Sequence, residues 1–226
     1  MRQVTAEFLG TYFLVFAGTG AITINDVSGG AITHVGIALT FGLVVLALIY
    51  TLGDVSGAHL NPAVTLGFVA ARRFSARPAV VYVLAQCAGA LSASLCLRLL
   101  FTQHPTLGAT EPRDGNVMQS FILELLLTFF LMFVILCVST GAKEKGLMAG
   151  VAIGAVIALE ALFAGPICGA SMNPARSLAP ALVSGRLANL WVYLAAPAAG
   201  ALLAVGGCVC VQERGCCMAR RKETCA

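Results

Sequence analysis

Of the 226 residues in this chain, 59% are hydrophobic and only 11% are charged. Soluble globular domains carry about 25% charged residues, so this composition excludes a soluble protein and indicates one embedded in a lipid bilayer. The formal net charge of +4 reflects membrane topology and predicts no nucleic-acid partner, because no basic patch is interleaved with aromatic residues.

Six apolar stretches along the chain are each close to the ~20 residues that a membrane-spanning helix needs. They cover about residues 4–24, 35–53, 78–101, 118–140, 146–165 and 189–211. Between the third and fourth stretches, residues 102–117 are rich in Pro, Gly and mixed charge and are predicted to form an external loop. Residues 212–226 are predicted to be a cytoplasmic tail.

Two shorter apolar segments, about residues 61–71 and 173–183, begin with Asn61-Pro62-Ala63 and Asn173-Pro174-Ala175. Asn is a favoured N-cap and Pro is favoured at the first helical position, so each tripeptide predicts a helix start. A helix over the first segment measures roughly 15 Å, half of a ~30 Å hydrocarbon core. We therefore predict two re-entrant half-helices that meet cap to cap near the midplane. The amide NH2 of each Asn is expected to stay free to donate.

The two halves of the chain repeat each other. Around Glu7 and Glu124, the residues Glu, Leu, Thr, Phe and Leu recur in register. Each half holds three full spans, an odd number, so the second half must enter the membrane upside down. The sequence thus predicts an all-α membrane protein in one domain, residues 1–226, with an inverted internal repeat of about 4–101 and 118–211. The functional site is expected at the interface between the two repeats.

The basic residues predict the orientation. With both termini cytoplasmic, the residues on the inner side would be Arg2, Arg72, Arg73, Arg77, Lys143, Lys145, Arg214, Arg220, Arg221 and Lys222. Only Arg98, Arg113, Arg176 and Arg186 would lie toward the outer side. This asymmetry follows the positive-inside rule, so we predict cytoplasmic termini in a plasma or bacterial inner membrane.

The paired tripeptides, Glu7, Glu124 and the stretch Ser56-Gly57-Ala58-His59 resemble those of the aquaporin, or major intrinsic protein, family over about residues 4–211. Residues 164–174 and 81–90 are similar to the nodulin-26-like branch and its bacterial relatives. The resemblance implies an aquaporin-like fold of six transmembrane helices and two re-entrant half-helices. It also implies a homotetramer with one pore per subunit.

The resemblance further implies a selectivity filter on the outer side, which counting from the two tripeptides assigns to Phe41, Ala161, Ala170 and Arg176. Arg176 lies in the first turn of its half-helix, where the helix dipole disfavours a cation. Its counterpart in the first half is Val64. Because Arg176 is a charge within the membrane and the equivalent residue of the first repeat is uncharged, we predict that Arg176 belongs to a functional site.

Small residues in this ring favour a pore for more than water. Water-selective relatives usually carry His where this chain has Ala161, so a wider ring with one apolar wall is predicted. This favours glycerol and metalloid hydroxides such as arsenous, boric or silicic acid, in addition to water. Ser177, where glycerol facilitators typically have Asp, and Tyr193-Leu194 leave a strictly water-selective aquaporin as the alternative.

Other residues are expected to support the half-helix loops or line the pore. The resemblance implies that Glu7 and Glu124 accept from backbone N–H groups of those loops. His59, Cys168 and Gly169 are assigned to pore lining or loop support. Glu160 precedes Ala161, and adjacent helical side chains point in different directions, so Glu160 should face a neighbouring helix or subunit.

Two other functional classes were weighed against a passive channel for water and small neutral solutes. An ion-coupled secondary transporter would need an ion site or a titrating carboxylate in the lumen, where only Glu160 is a candidate. An enzyme would need a nucleophile with a base, or a metal cluster, yet His34, His59 and His104 lie in unrelated loops without ligand spacing. We expect no catalysis, no cofactor and no bound metal.

Overall fold

The computed structural model describes residues 1–139 and 147–211. These ranges contain the helices α1 (Arg2–Val27), α2 (Thr33–Ser56), α3 (Pro62–Ala70), α4 (Ala76–Leu100), α5 (Val117–Val138), α6 (Ala149–Cys168), α7 (Pro174–Ser184) and α8 (Leu190–Val211). A 3-10 turn lies at Arg113–Gly115. The predicted tail, residues 212–226, lies outside the described residues, as do Lys143 and Lys145.

Six of these helices, α1, α2, α4, α5, α6 and α8, are long and apolar enough to cross a membrane. The other two, α3 and α7, have 9 and 11 residues. Helices of that length cover roughly half of a hydrocarbon core. The prediction of an all-α, multi-pass membrane protein with six spans and two half-helices is confirmed.

Two glycines set the ends of the helices that precede the half-helices. α2 and α6 end before Gly57 and Gly169, each with a left-handed φ of 85°. Both helices therefore run three residues beyond the ends predicted from hydrophobicity, and α6 continues through Pro166. A left-handed residue reverses the chain direction at little cost only when it lacks a Cβ, which is why both helices stop at glycine. His34, expected in a loop, lies in the first turn of α2.

Glycines also permit the closest helix contacts, and they do so in matched positions of the two halves. A Cβ on Gly89 of α4 would lie 2.2 Å from the carbonyl oxygen of Phe8 in α1. A Cβ on Gly200 of α8 would lie 2.3 Å from that of Leu125 in α5. The pairs α1–α4 and α5–α8 thus pack in the same way, as an internal repeat requires.

The helices α2 and α6 cross where the two halves meet. A Cβ on Gly42 would lie 2.5 Å from the carbonyl oxygen of Gly154, and a Cβ on Gly154 would lie 2.7 Å from that of Gly42. Each glycine thus meets its own counterpart, so this crossing lies on the axis that relates the inverted repeats. The loops before α3 and α7 pack between the halves and position the site.

Candidate pore

The loop before α3 is held by a buried carboxylate. Oε1 of Glu7 accepts from the backbone N–H of His59 at 3.0 Å and from the hydroxyl of Ser56 at 2.7 Å. Oε2 accepts from the backbone N–H of Leu60 at 2.7 Å and from the amide of Gln86 at 2.8 Å. The carboxylate is fully buried, and these four donors replace the water that it lacks.

Glu124 holds the loop before α7 in the same manner. Its oxygens accept from the backbone N–H groups of Ser171 at 2.7 Å and Met172 at 2.8 Å. The two loops include four non-glycine residues with positive φ, namely Ala58, Leu60, Ala170 and Met172. Such residues cost about 1–3 kcal/mol each, and hydrogen bonds to charged groups offset part of that strain. The contacts predicted for both carboxylates are therefore present.

The half-helices begin as predicted. Oδ1 of Asn61 accepts from the backbone N–H of Ala63 at 2.8 Å, and Oδ1 of Asn173 accepts from that of Ala175 at 3.0 Å. Pro62 and Pro174 are the first residues of α3 and α7.

The amide N–H groups are not all free, contrary to the prediction. Nδ2 of Asn61 donates to the carbonyl of Met172 at 2.7 Å, and Nδ2 of Asn173 donates to that of Leu60 at 2.9 Å. Each cap thus bonds to the loop of the opposite half, which ties the two half-helices together. The second N–H of each amide can still donate to another acceptor.

A cavity passes along these caps. It is bordered by Ser139 and Ala149 at one end, by Asn61 and Asn173 in the middle, and by Arg176 at the other end. Most of its remaining wall is aliphatic, formed by Leu14, Val45, Ile49, Leu60, Val64, Leu131, Ile135, Ile153, Ile157 and Met172. An apolar wall with a few convergent polar groups is typical of a small-molecule passage.

A second cavity lies on the far side of Arg176, bordered by residues that include His34, Gly108, Thr110 and Glu111. The two cavities share four lining residues, Phe41, Ala161, Ala170 and Arg176. These are the four residues that the sequence assigned to the filter. The structure therefore brings them together, around the junction between the two cavities.

Arg176 is held on two sides at this junction. Its Nη1 donates to the carbonyl of Gly108 at 2.8 Å, and its guanidinium carbon lies 5.2 Å from the centre of the Phe41 ring. The residue is only 2% exposed. A guanidinium over an aromatic face is attracted by the ring quadrupole, so both contacts restrict where the charge can lie.

His59 borders the first cavity and lies within an aromatic cluster. Its ring stacks on Phe68 at 4.6 Å between centroids and meets the edges of Phe74 at 4.9 Å and Tyr82 at 5.2 Å. The Nδ1 of His59 lies 3.2 Å from the hydroxyl of Thr65. It therefore both lines the passage and supports the loop.

Three further predicted residues differ in their exposure to the cavities. Gly169 borders the second cavity, whereas Cys168 is fully buried, with its Sγ 3.5 Å from the carbonyl of Ala164. The side chain of Cys168 lines neither of the two cavities. Glu160 is also fully buried and borders neither cavity, so it faces neighbouring helices as expected. Within the described ranges, its two oxygens have no hydrogen-bond partner.

Two residues that contribute to this geometry, Gln86 and Gly108, were not predicted from the sequence. Gln86 bonds to Glu7 and also donates to the hydroxyl of Thr65 at 3.0 Å, and a buried Gln in a span was the available signal. Gly108 comes from the loop between α4 and α5, and nothing local predicted that its carbonyl reaches Arg176, 68 positions away. Within the described ranges, no three His, Cys, Asp or Glu residues are grouped to hold a metal ion.

Comparisons with known proteins agree with this geometry. The profile of the family described as "Major intrinsic protein" matches residues 1–206. The chain is 53% identical over 202 residues to Aquaporin NIP1-4 of Oryza sativa subsp. japonica, covering 89% of this chain and 73% of that protein. It is 46% identical over 203 residues to Nodulin-26 of Glycine max, covering 89% and 74%. The aquaglyceroporin from Plasmodium falciparum superimposes with a TM-score of 0.81 at 28% identity, over 90% of this chain and 93% of that one. The chain belongs to the major intrinsic protein family.

Proposed function

We propose that the chain is a passive membrane channel for water and small uncharged solutes, formed by a single domain over residues 1–226. The observation that carries this proposal is the passage along Asn61 and Asn173 to the ring around Arg176. The similarity to proteins named aquaporin and aquaglyceroporin supports it.

The ring is proposed to act as the selectivity filter. Ala161 and Ala170 leave space on two sides, while Phe41 offers an apolar face and Arg176 offers N–H donors. Glycerol or a metalloid hydroxide could lay its apolar side on Phe41 and bond its hydroxyls to Arg176. Ser177, which had favoured the water-selective alternative, is fully buried and bonded to Thr110 at 2.7 Å. Its identity therefore has little direct influence on the ring.

Exclusion of protons and ions is proposed to come from charge. The N-termini of α3 and α7, each carrying roughly half a positive charge, point at the middle of the passage and repel cations. The remaining N–H of Asn61 and of Asn173 can donate to a passing water oxygen, which prevents that water from completing a proton wire. Arg176 adds a full positive charge at the outer ring.

An ion-coupled transporter is the weaker alternative, and an enzyme is not proposed. The only carboxylate that the sequence offered for coupling is Glu160, and it borders neither cavity.

We further propose a homotetramer with both termini cytoplasmic, in a plasma or bacterial inner membrane. Arg77 and Arg98 lie at opposite ends of α4, which supports placing them on opposite faces of the membrane.

Stopped-flow light scattering on proteoliposomes tests the function. We expect shrinkage and reswelling that report permeability to water, glycerol and arsenous acid without any ion gradient. Protein-free vesicles are the control. Permeability to water alone would leave the water-selective alternative, and flux that requires an ion gradient would contradict the channel.

A further inference from the structure

We propose that His104, in the external loop between the two halves, is a positioning residue for the filter. Its ring holds the turn that presents the carbonyl of Gly108 to Arg176. This inference rests on the proposed filter role of Arg176, and it assigns part of that role to a residue outside the ring.

The imidazole of His104 is enclosed by the loop. Its side chain is 3% exposed. Nδ1 accepts from the backbone N–H of Leu107 at 2.9 Å and from that of Thr106 at 3.4 Å. Nδ1 therefore carries no proton, because it faces two donors. Nε2 lies 3.3 Å from Oδ2 of Asp26, in the last turn of α1.

The turn that the ring caps is strained. Leu107 has a φ of 52° and is fully buried, and Gly108 follows with a φ of 72°. A Cβ on Gly108 would lie 3.0 Å from Cβ of Thr19, so the turn is also pressed against α1. Two consecutive left-handed residues reverse the backbone and direct the Gly108 carbonyl. The two N–H groups that enter this turn are bonded to His104.

The carbonyl of Gly108 has a defined task at the ring. Within the described ranges, it is the hydrogen-bond acceptor of the Arg176 side chain, at 2.8 Å, while Nε of Arg176 has no partner. The guanidinium is otherwise restricted by the face of Phe41. A shift of this carbonyl would therefore release the charge that borders the passage.

Other contacts keep the loop folded without the ring. Nη1 of Arg98 donates to the carbonyl of His104 at 2.7 Å and to that of Thr102 at 3.2 Å. The hydroxyl of Thr110 donates to that of Ser177 at 2.7 Å. Since these contacts hold the loop on both sides of the turn, loss of the imidazole should loosen the turn and leave the fold intact.

The test compares His104→Ala with His104→Asn in proteoliposomes, using the ratio of glycerol to water permeability as the readout. Oδ1 of Asn can take the place of Nδ1 as acceptor, so Asn should keep the wild-type ratio. Ala should shift the ratio by roughly two- to tenfold, as expected for the net loss of one hydrogen bond. Gln103→Ala, an exposed neighbour in the same loop, is the control and should change nothing. His104→Gln fills the volume of the ring without an acceptor at the Nδ1 position, so it should shift the ratio as His104→Ala does. It takes the place of His104→Ala in the test if that variant does not fold.

Arg176→Val, alone and combined with His104→Ala, separates the two proposals. If His104 acts through Arg176, the double variant matches Arg176→Val, because the effects of coupled residues are not additive. A wild-type ratio in both folded His104→Ala and folded His104→Gln, beside a shifted Arg176→Val, overturns the positioning role alone. Additive shifts overturn it as well. If Arg176→Val also keeps the wild-type ratio, the proposed filter role of Arg176 fails and the positioning role fails with it.

Discussion

Single side chains at the centre of this protein serve two purposes at once. The amide oxygen of Asn61 caps α3, while one of its N–H groups bonds to the carbonyl of Met172 across the repeat interface. Likewise, the amide oxygen of Asn173 caps α7, and one of its N–H groups bonds to the carbonyl of Leu60. A substitution at either Asn therefore alters both the cap of a half-helix and the hydrogen bond that links the two halves.

Replacing both Asn61 and Asn173 by Asp should admit monovalent cations. The added carboxylates oppose the positive potential of the two helix N-termini, and they cannot donate to a water oxygen. An ion-flux assay on proteoliposomes measures the leak. Asn116→Asp is a matched control, because Asn116 caps α5 and is exposed away from both cavities. A folded double variant that excludes cations would show that the caps are not the barrier.

The substitution Ala161→His should narrow the ring and add a donor to it. We expect glycerol and arsenous acid permeability to fall by at least roughly tenfold, which is within the range of steric discrimination in a pocket, with a much smaller change for water. Stopped-flow measurements on the variant and wild type give both values. Ala161→Gly is the control, because it does not narrow the ring and should keep glycerol flux. A wild type that passes only water would end the proposal of a solute channel.

Two buried carboxyl groups should respond differently to neutralisation. Glu124→Gln should destabilise the protein by about 1–3 kcal/mol, because one oxygen that accepts from the loop becomes an NH2 group. Glu160→Gln should be nearly neutral or stabilising, since the Glu160 oxygens have no hydrogen-bond partner among the described residues. Thermal unfolding in detergent compares the two variants. Equal destabilisation by both would mean that Glu160 has a partner whose loss matters.

At the level of helices, glycine sets both helix length and helix spacing. Gly57 and Gly169 end α2 and α6 with left-handed backbone, and the chain then turns into a half-helix. Gly89 and Gly200 let α4 and α8 approach the backbones of α1 and α5. Close approach through small residues is the usual way in which membrane helices associate, because lipid gives no hydrophobic force between them.

Gly200→Ala should therefore destabilise the protein by about 1–3 kcal/mol, because the methyl group overlaps the carbonyl of Leu125. Gly206→Ala, six residues later in α8, is the control, since a Cβ there would meet no atom within 4 Å among the described residues outside its own stretch of helix. This control should be neutral or stabilise the helix by up to about 1 kcal/mol. Unfolding midpoints of the two variants test the contrast. Similar midpoints would contradict the packing argument.

Across the whole molecule, residues shared by the two halves form the passage, whereas its charged ring depends on a residue that only one half contains. The two halves place equivalent caps, carboxylates and strained loops around one axis. Arg176 has the buried Val64 as its counterpart. Gln86, which bonds to Glu7, has Pro197 at the matching place in α8. The ring around Arg176 consequently carries a charge that the equivalent position in the first half, Val64, does not repeat.

Several features of this protein were readable from the sequence because their causes are local. The length of apolar runs predicts spans, and Asn-Pro predicts a helix start wherever it lies. The repeat followed from comparing Glu7 with Glu124 and Asn61 with Asn173. The four residues of the ring could be assigned by counting, because a helix has a fixed rise per residue and the resemblance supplied the register.

Contacts between distant segments were decided only by the tertiary structure. Asn61 and Met172 are 111 positions apart, and Arg176 and Gly108 are 68 apart, so no local pattern shows that each donor finds that carbonyl. The ends of α2 and α6 also differed from the prediction, because hydrophobicity falls before the backbone reaches the glycine that can reverse it. A buried carbonyl accepts a hydrogen bond only if its C=O bond points at the donor, and that orientation depends on how the whole chain packs.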